Sequence, residues 1–206
     1  MASESLFRIL LGVLLVTFVA HRAYWHRKLK RPRDESSIVQ KPGILGAVAS
    51  ISGILALIAS VIYIVRPVLL AWASFAASPW LPWSGVVLAV AGFWLLQSAH
   101  QALGRNWSDA PALVKAQVLV VEGPYRWIRH PIYAAFLLIL GAPMLISANL
   151  VVGSLWLVMT ILEAASRISA EEALMLREFG DRYRSYMLVT GRLLPRIFLS
   201  RARIGR

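Results

Sequence analysis

Residues 43–65, GILGAVASISGILALIASVIYIV, contain no charged side chain. A helix that crosses the hydrocarbon core of a bilayer needs about 20 such apolar residues. Five runs of this kind occur in a chain of 206 residues, at about 6–25, 43–65, 82–103, 131–147 and 150–166. A chain this short cannot hide five such helices behind one another, so lipid must be part of the solvent. The sequence therefore predicts an all-α, polytopic membrane protein with about five transmembrane helices. Composition agrees, with 58% hydrophobic residues and a mean hydropathy of +0.65.

The first run resembles a signal peptide. It has no clear small-residue cleavage site, however, and a basic stretch follows it as a stop-transfer signal would. The fourth and fifth runs are separated by Ser147, Ala148 and Asn149, which predicts a tight antiparallel hairpin, with Pro143 kinking the fourth helix. Segment 67–80, PVLLAWASFAASPW, is too short to span. It reads as interfacial or re-entrant, with Trp72, Trp80 and Trp83 at headgroup level.

Charge tests this count. Seven Lys and Arg lie in 21–42, four in 104–130 and nine in 167–206, so only Arg8 and Arg66 of the 22 fall elsewhere. Five spans place all three basic segments on one face. The excess of cations on the cytoplasmic side then predicts N-terminus out and C-terminus cytoplasmic. The net charge of +12 is read the same way, as contact with anionic lipid rather than nucleic acid. No internal repeat stands out, and 1–206 reads as one domain, with N-terminal spans in 1–103 and the polar blocks in 104–206. Nothing in the sequence fixes an oligomeric state.

The chain has no cysteine. That removes disulfides, thiolate metal sites and a cysteine nucleophile. Its four histidines, His21, His26, His100 and His130, show no metal-ligand spacing, so no metal is expected.

Between the third and fourth runs lies GPYRWIRHPIY (123–133), which crowds two cations, a histidine, two tyrosines and a tryptophan between apolar flanks. Pro131 suits the first turn of a helix, where its missing N–H costs nothing. His130 and Tyr133, three apart, then share a face at the helix mouth. A second polar block, EAASRISAEEALMLREFGDRYRSY (163–186), continues the fifth run. Glu163, Arg167 and Glu171 step by four along one helical face, and Gly180 marks a C-cap. Exposed ion pairs on a surface helix explain this spacing as well as a site does. Ionisable groups where a helix leaves the bilayer, on the other hand, tend to face a cavity.

Taken together, LVVEGPYRWIRHPIY and RISAEEALMLREFGDRYRSYMLVTGRLLP resemble the isoprenylcysteine carboxyl methyltransferase family, part of a wider group of integral-membrane methyltransferases that includes phospholipid N-methyltransferases. The likeness covers about 117–195. It implies a cytoplasmic S-adenosylmethionine pocket between the two blocks and a lipophilic, prenylated or phospholipid-like substrate arriving from the bilayer. By position, Gln117, Val118, Leu119 and Val120 would offer backbone contacts to the cofactor, and Tyr125 would pack on it. His130, Pro131, Ile132 and Tyr133 would hold its adenosine and methionine portions. Glu171 would pair with its ammonium, and Arg167 would position the substrate carboxylate. The family often has a histidine where Gln117 stands, which leaves the role of that side chain open. Arg126, Arg129 and Glu172 are left as structural or phosphate-facing.

Three other readings compete: a phospholipid N-methyltransferase, an NADPH-dependent membrane reductase of related architecture, and a non-enzymatic membrane scaffold. The reductase lacks an obvious cluster for a 2′-phosphate. The scaffold or transporter predicts polar residues in mid-span, where only Gln97, Ser98 and His100 approach that description.

Overall fold

The computed structural model of the protein describes residues 2–29, 36–37, 43–76, 78–104, 113–114 and 118–196. Among these, the chain forms α1 (Ala2–Leu29), α2 (Ile44–Val65), α3 (Leu81–Leu103), α4 (Pro131–Ser147), α5 (Leu150–Phe179) and α6 (Asp181–Val189). Short 3-10 helices cover Pro67–Ala73 and Gly123–Arg126. The only strand pairing among the described residues is antiparallel, β1 (Ser36–Ser37) with β2 (Leu113–Val114). The protein is all-α.

Four helices, α1, α2, α3 and α5, are long and apolar enough to cross a membrane. The expected fourth span is shorter. Helix α4 has 17 residues, about 25 Å at 1.5 Å per residue, against a hydrocarbon core of about 30 Å. It lies between α1, α3 and α5, and most of its residues are buried, so neighbouring helices rather than lipid solvate it. Pro143 is fully buried inside this helix, which runs unbroken to Ser147. Elsewhere lipid must cover apolar surface: Ile44, Val48, Ile51, Ile54, Ile58 and Val61 of α2 are all exposed on the bundle.

Small residues set the helix spacing. The buried stripe of α3 is Gly85, Ala89, Gly92, Leu96 and Ala99, one residue every three or four positions. A Cβ at Gly85 would stand 2.8 Å from Ile146 Cγ1, and one at Gly92 would stand 2.7 Å from Ile139 Cγ1. Only hydrogen at those positions lets α3 and α4 approach so closely. Between α2 and α5 hydrogen bonds add to packing. Ser52 Oγ donates to the Leu155 carbonyl at 2.9 Å, and Trp156 Nε1 donates to Ser60 Oγ at 3.0 Å.

The five apolar helices alternate in direction. At one end Phe7 meets Trp83 edge-on, with centroids 5.4 Å apart, and the α4–α5 turn is locked to the 3-10 segment. The fully buried Asn149 caps α5 by accepting from Val152 N at 3.2 Å and donates to the Leu70 carbonyl at 2.8 Å. Trp72 and Trp80 project here, each 77% exposed, as the interfacial reading expects. At the other end Gln97 Oε1 takes hydrogen bonds from His21 Nε2 (3.1 Å) and Trp25 Nε1 (3.2 Å). Trp25 stacks on His100 with centroids 5.0 Å apart. The cation-rich connections after α1 and α3, and the chain beyond α5, all leave from this second end.

Candidate active site

Helix α5 is the backbone of the site. Its 30 residues extend about 45 Å, so roughly the last third stands beyond a 30 Å hydrocarbon core. That part carries Glu171 and Glu172, with Arg167 and Glu163 one and two turns deeper on the same helix. Gly180 ends it with a positive φ of 52°, which a residue without a Cβ adopts at little cost. Helix α6 then turns back towards the start of α4.

The two glutamates have different jobs. Adjacent residues on a helix point about 100° apart, so the two carboxylates sit in different surroundings. Glu172 points inward, with its side chain 7% exposed. Its Oε1 accepts from Arg129 Nε at 2.9 Å and lies 3.3 Å from His130 Nε2. Its Oε2 accepts from Arg192 Nε at 3.0 Å and also from Arg192 Nη2. A carboxylate so buried is tolerated only because each oxygen has charged donors.

Glu171 faces outward, with its side chain 27% exposed. Its Oε1 accepts from the Tyr133 hydroxyl at 2.6 Å, and its Oε2 lies 3.4 Å from His130 Nδ1. His130 thus bridges the two carboxylates through its two ring nitrogens. Burial opposes the charged imidazolium, but hydrogen bonds to Glu171 and Glu172 overcome that, and the His130 pKa is raised.

The chain after α6 seals this arrangement. Arg129 N donates to the Gly191 carbonyl (2.8 Å), Gly191 N to the Trp127 carbonyl (3.2 Å) and His130 N to the Arg192 carbonyl (3.1 Å). Arg129 Nη1 also reaches the Thr190 carbonyl at 2.5 Å, placing a cation at the negative end of α6. The Tyr186 hydroxyl donates to the Tyr125 carbonyl at 2.5 Å. Burial first, then the nearby Glu171 charge, push the Tyr125 phenol far above its ordinary range, so it serves as a neutral ring.

Of the residues singled out from sequence, Tyr125, His130, Tyr133 and Glu171 are brought to one locus. Pro131 is fully buried at the first turn of α4, and Ile132 packs partly buried against the core. Val118, Leu119 and Val120 lie in the irregular stretch before the Gly123–Arg126 turn, with Val118 62% exposed. Gln117 lies outside the described residues. Arg167 Nη2 pairs with Glu163 Oε1 at 2.7 Å, one turn deeper than Glu171. Sequence reasoning did not give Arg129, Glu172, Arg192 and Thr190 their shared role. The Glu171–Glu172 doublet was its only signal, since one of two adjacent charges on a half-buried helix must turn inward.

Fold and site together define a multi-pass helical membrane protein with a closed polar cluster at one end of its bundle. Residues 85–177, which include most of that cluster, match the isoprenylcysteine carboxyl methyltransferase (ICMT) family. The chain is 35% identical over 98 residues to the protein-S-isoprenylcysteine O-methyltransferase of Schizosaccharomyces pombe, covering 46% of this chain and 41% of that protein. It is 39% identical over 75 residues to the uncharacterized protein YpbQ of Bacillus subtilis, covering 35% of this chain and 42% of that one. Among solved structures it resembles the eukaryotic intramembrane Ras methyltransferase ICMT, with a TM-score of 0.54 and 25% identity over 73% of this chain and 52% of that chain. The aligned parts thus span about half or less of each relative's own length.

Proposed function

We propose that the protein is an S-adenosylmethionine-dependent methyltransferase acting on a lipid-embedded acceptor, the carboxylate of an isoprenylcysteine-like molecule. The observation that carries this reading is the partly exposed Glu171 carboxylate, fixed by Tyr133 and His130 beside a buried ion cluster, within the stretch that matches the family. The chain works as one domain, with 1–103 as membrane scaffold and 104–206 as the cofactor region. In this reading its N-terminus faces out and its C-terminus lies in the cytoplasm, which the distribution of Lys and Arg supports.

The residues fit the cofactor. Glu171 keeps open surface for an ammonium group, and its two protein donors fix its orientation. In this reading the rings of Tyr125 and Tyr133, both buried beside Glu171, pack against the adenosine and the sulfonium, a cation suited to aromatic surroundings. Backbone groups of 117–120 and of 130–132 complete the wall in this reading.

When bound, S-adenosylmethionine supplies a methyl group already activated on sulfur. The protein's own contribution is then alignment and the exclusion of water, which can reach roughly 7–11 kcal/mol in favourable cases. A carboxylate acceptor is ionised at pH 7 and needs no base. Arg167 orients it with a planar fork. An amine acceptor would need a base to take its proton, but Glu163 is already paired to Arg167 and Glu171 to Tyr133 and His130. That arrangement favours the carboxylate.

Glu171→Gln should weaken S-adenosylmethionine binding more than tenfold and leave the fold intact. Losing a charge-assisted hydrogen bond in a partly desolvated site costs about 1.5–3 kcal/mol. Calorimetry on the purified protein checks this. Unchanged affinity, or wild-type protein that binds NADPH instead, would refute the reading.

A further inference from the structure

Helix α1 lies outside the stretch that matches the family, yet it brings a cation to the site. The Arg22 guanidinium sits over the ring of Phe136, 5.4 Å from its centroid. Phe18, one turn earlier on α1, meets the same ring edge-on at 5.5 Å. Phe136 in turn meets Tyr133 edge-on at 6.4 Å, and the Tyr133 hydroxyl holds Glu171. A continuous path of side chains thus leads from Arg22 to the proposed cofactor carboxylate.

Register sets its depth. Helices α4 and α5 are antiparallel neighbours. Moving from Tyr133 to Phe136 descends about 4.5 Å into the bundle, and moving from Glu171 to Arg167 descends about 6 Å in the same direction. Phe136 and Arg167 therefore stand at nearly the same level, about one turn below the Tyr133–Glu171 bond. Arg22 joins that level from the α1 side.

Arg167 has Glu163 as its counter-ion. Among the described residues no carboxylate pairs with Arg22, an exposed side chain whose guanidinium lies over an aromatic face. A guanidinium near a helix mouth, with no carboxylate partner among the described residues, is suited to take an anion. Phe18, partly buried beside it, offers apolar surface to what that anion is attached to. One chemical class satisfies both demands: an amphiphile with a single anionic head and a hydrocarbon tail.

We infer that Arg22 is a specificity-determining residue, forming with Arg167 a two-sided clamp for the anionic head of the lipid acceptor. This rests on the transferase reading above and adds a division of labour. Arg22 selects the charged head on the α1 side of Phe136, and Arg167 orients it beneath the cofactor. Loss of Arg22 should then raise KM more than it lowers kcat.

The test uses the full chain in lipid nanodiscs. Binding of an N-acetyl-S-prenylcysteine is compared with binding of its neutral amide, in wild type, Arg22→Gln and Arg22→Lys. Wild type should bind the acid at least tenfold more tightly than the amide. Arg22→Gln should reduce that preference below about threefold with S-adenosylmethionine affinity unchanged, and Arg22→Lys should retain most of it. Thermal unfolding checks that each variant is folded. A wild type indifferent to the head charge, or an Arg22→Gln protein that keeps the full preference, overturns the inference. Methylated product formed by wild type is scored separately: product with an unaltered Arg22→Gln preference refutes only the clamp. A lost preference without any product supports the clamp and refutes the transfer.

Discussion

Replacing Glu172 with glutamine should destabilise the protein by about 3–5 kcal/mol, the usual cost of removing one member of a buried ion pair. The reason is what stays behind. Arg129, its side chain 7% exposed, would lose its carboxylate, and the equally buried His130 would keep only Glu171. Arg192 would lose its anchor, loosening the 190–192 strap from residues 127–130. The effect has a pH signature. Pairing raises the His130 pKa above its ordinary value, so its contribution is complete below about pH 6.5 and is lost as pH rises through the elevated value. Unfolding in detergent, followed from pH 5 to 9, should show wild-type stability falling over the upper part of that range and a shallower fall in the variant. A Glu172→Gln protein within about 0.5 kcal/mol of wild type, the range of an ordinary surface change, would remove Glu172 from the centre of the structure.

The second large effect concerns rate rather than stability. Arg167→Lys keeps the charge and loses the planar fork. Turnover should fall about 100-fold, the size of penalty that a misplacement of 1 Å can bring, with S-adenosylmethionine affinity within twofold of wild type. Single-turnover kinetics separate the two. An Arg167→Lys protein with full activity would return the Glu163–Arg167 pair, each side chain about one third exposed, to the plain surface ion pair that its helical spacing also allows.

How far the sequence led can be judged from particular residues. Apolar runs located the helices because lipid makes the hydrocarbon length itself a signal. Gly180 was legible as punctuation, since a helix C-cap with positive φ favours glycine, and the short turn over 147–149 marked the hairpin; the capping role of Asn149 was not read from the sequence. Helix α4 was legible in position, but its burial was not. Its composition is that of a span, and only the bundle reveals that α1, α3 and α5 surround it. In the site, Glu171 with Tyr133 and His130 followed from motif order. The Glu172 hub did not, because Arg192 reaches it from 20 residues away along the chain, beyond Gly180 and α6. No periodicity connects those positions. Arg22 was equally hidden: in sequence it is one cation of a basic stretch, and only the packing of α1 on α4 sets it over Phe136.

The proposed reaction moves a methyl group from S-adenosylmethionine to a lipid-borne carboxylate. The most direct test gives the purified protein, in nanodiscs, methyl-labelled S-adenosylmethionine with either an N-acetyl-S-prenylcysteine or an amine-headed phospholipid. The account predicts label in a base-labile methyl ester of the prenylcysteine, absent with Arg167→Lys over the same interval, and none in the phospholipid. Label in the amine lipid alone, or in neither acceptor, would contradict it.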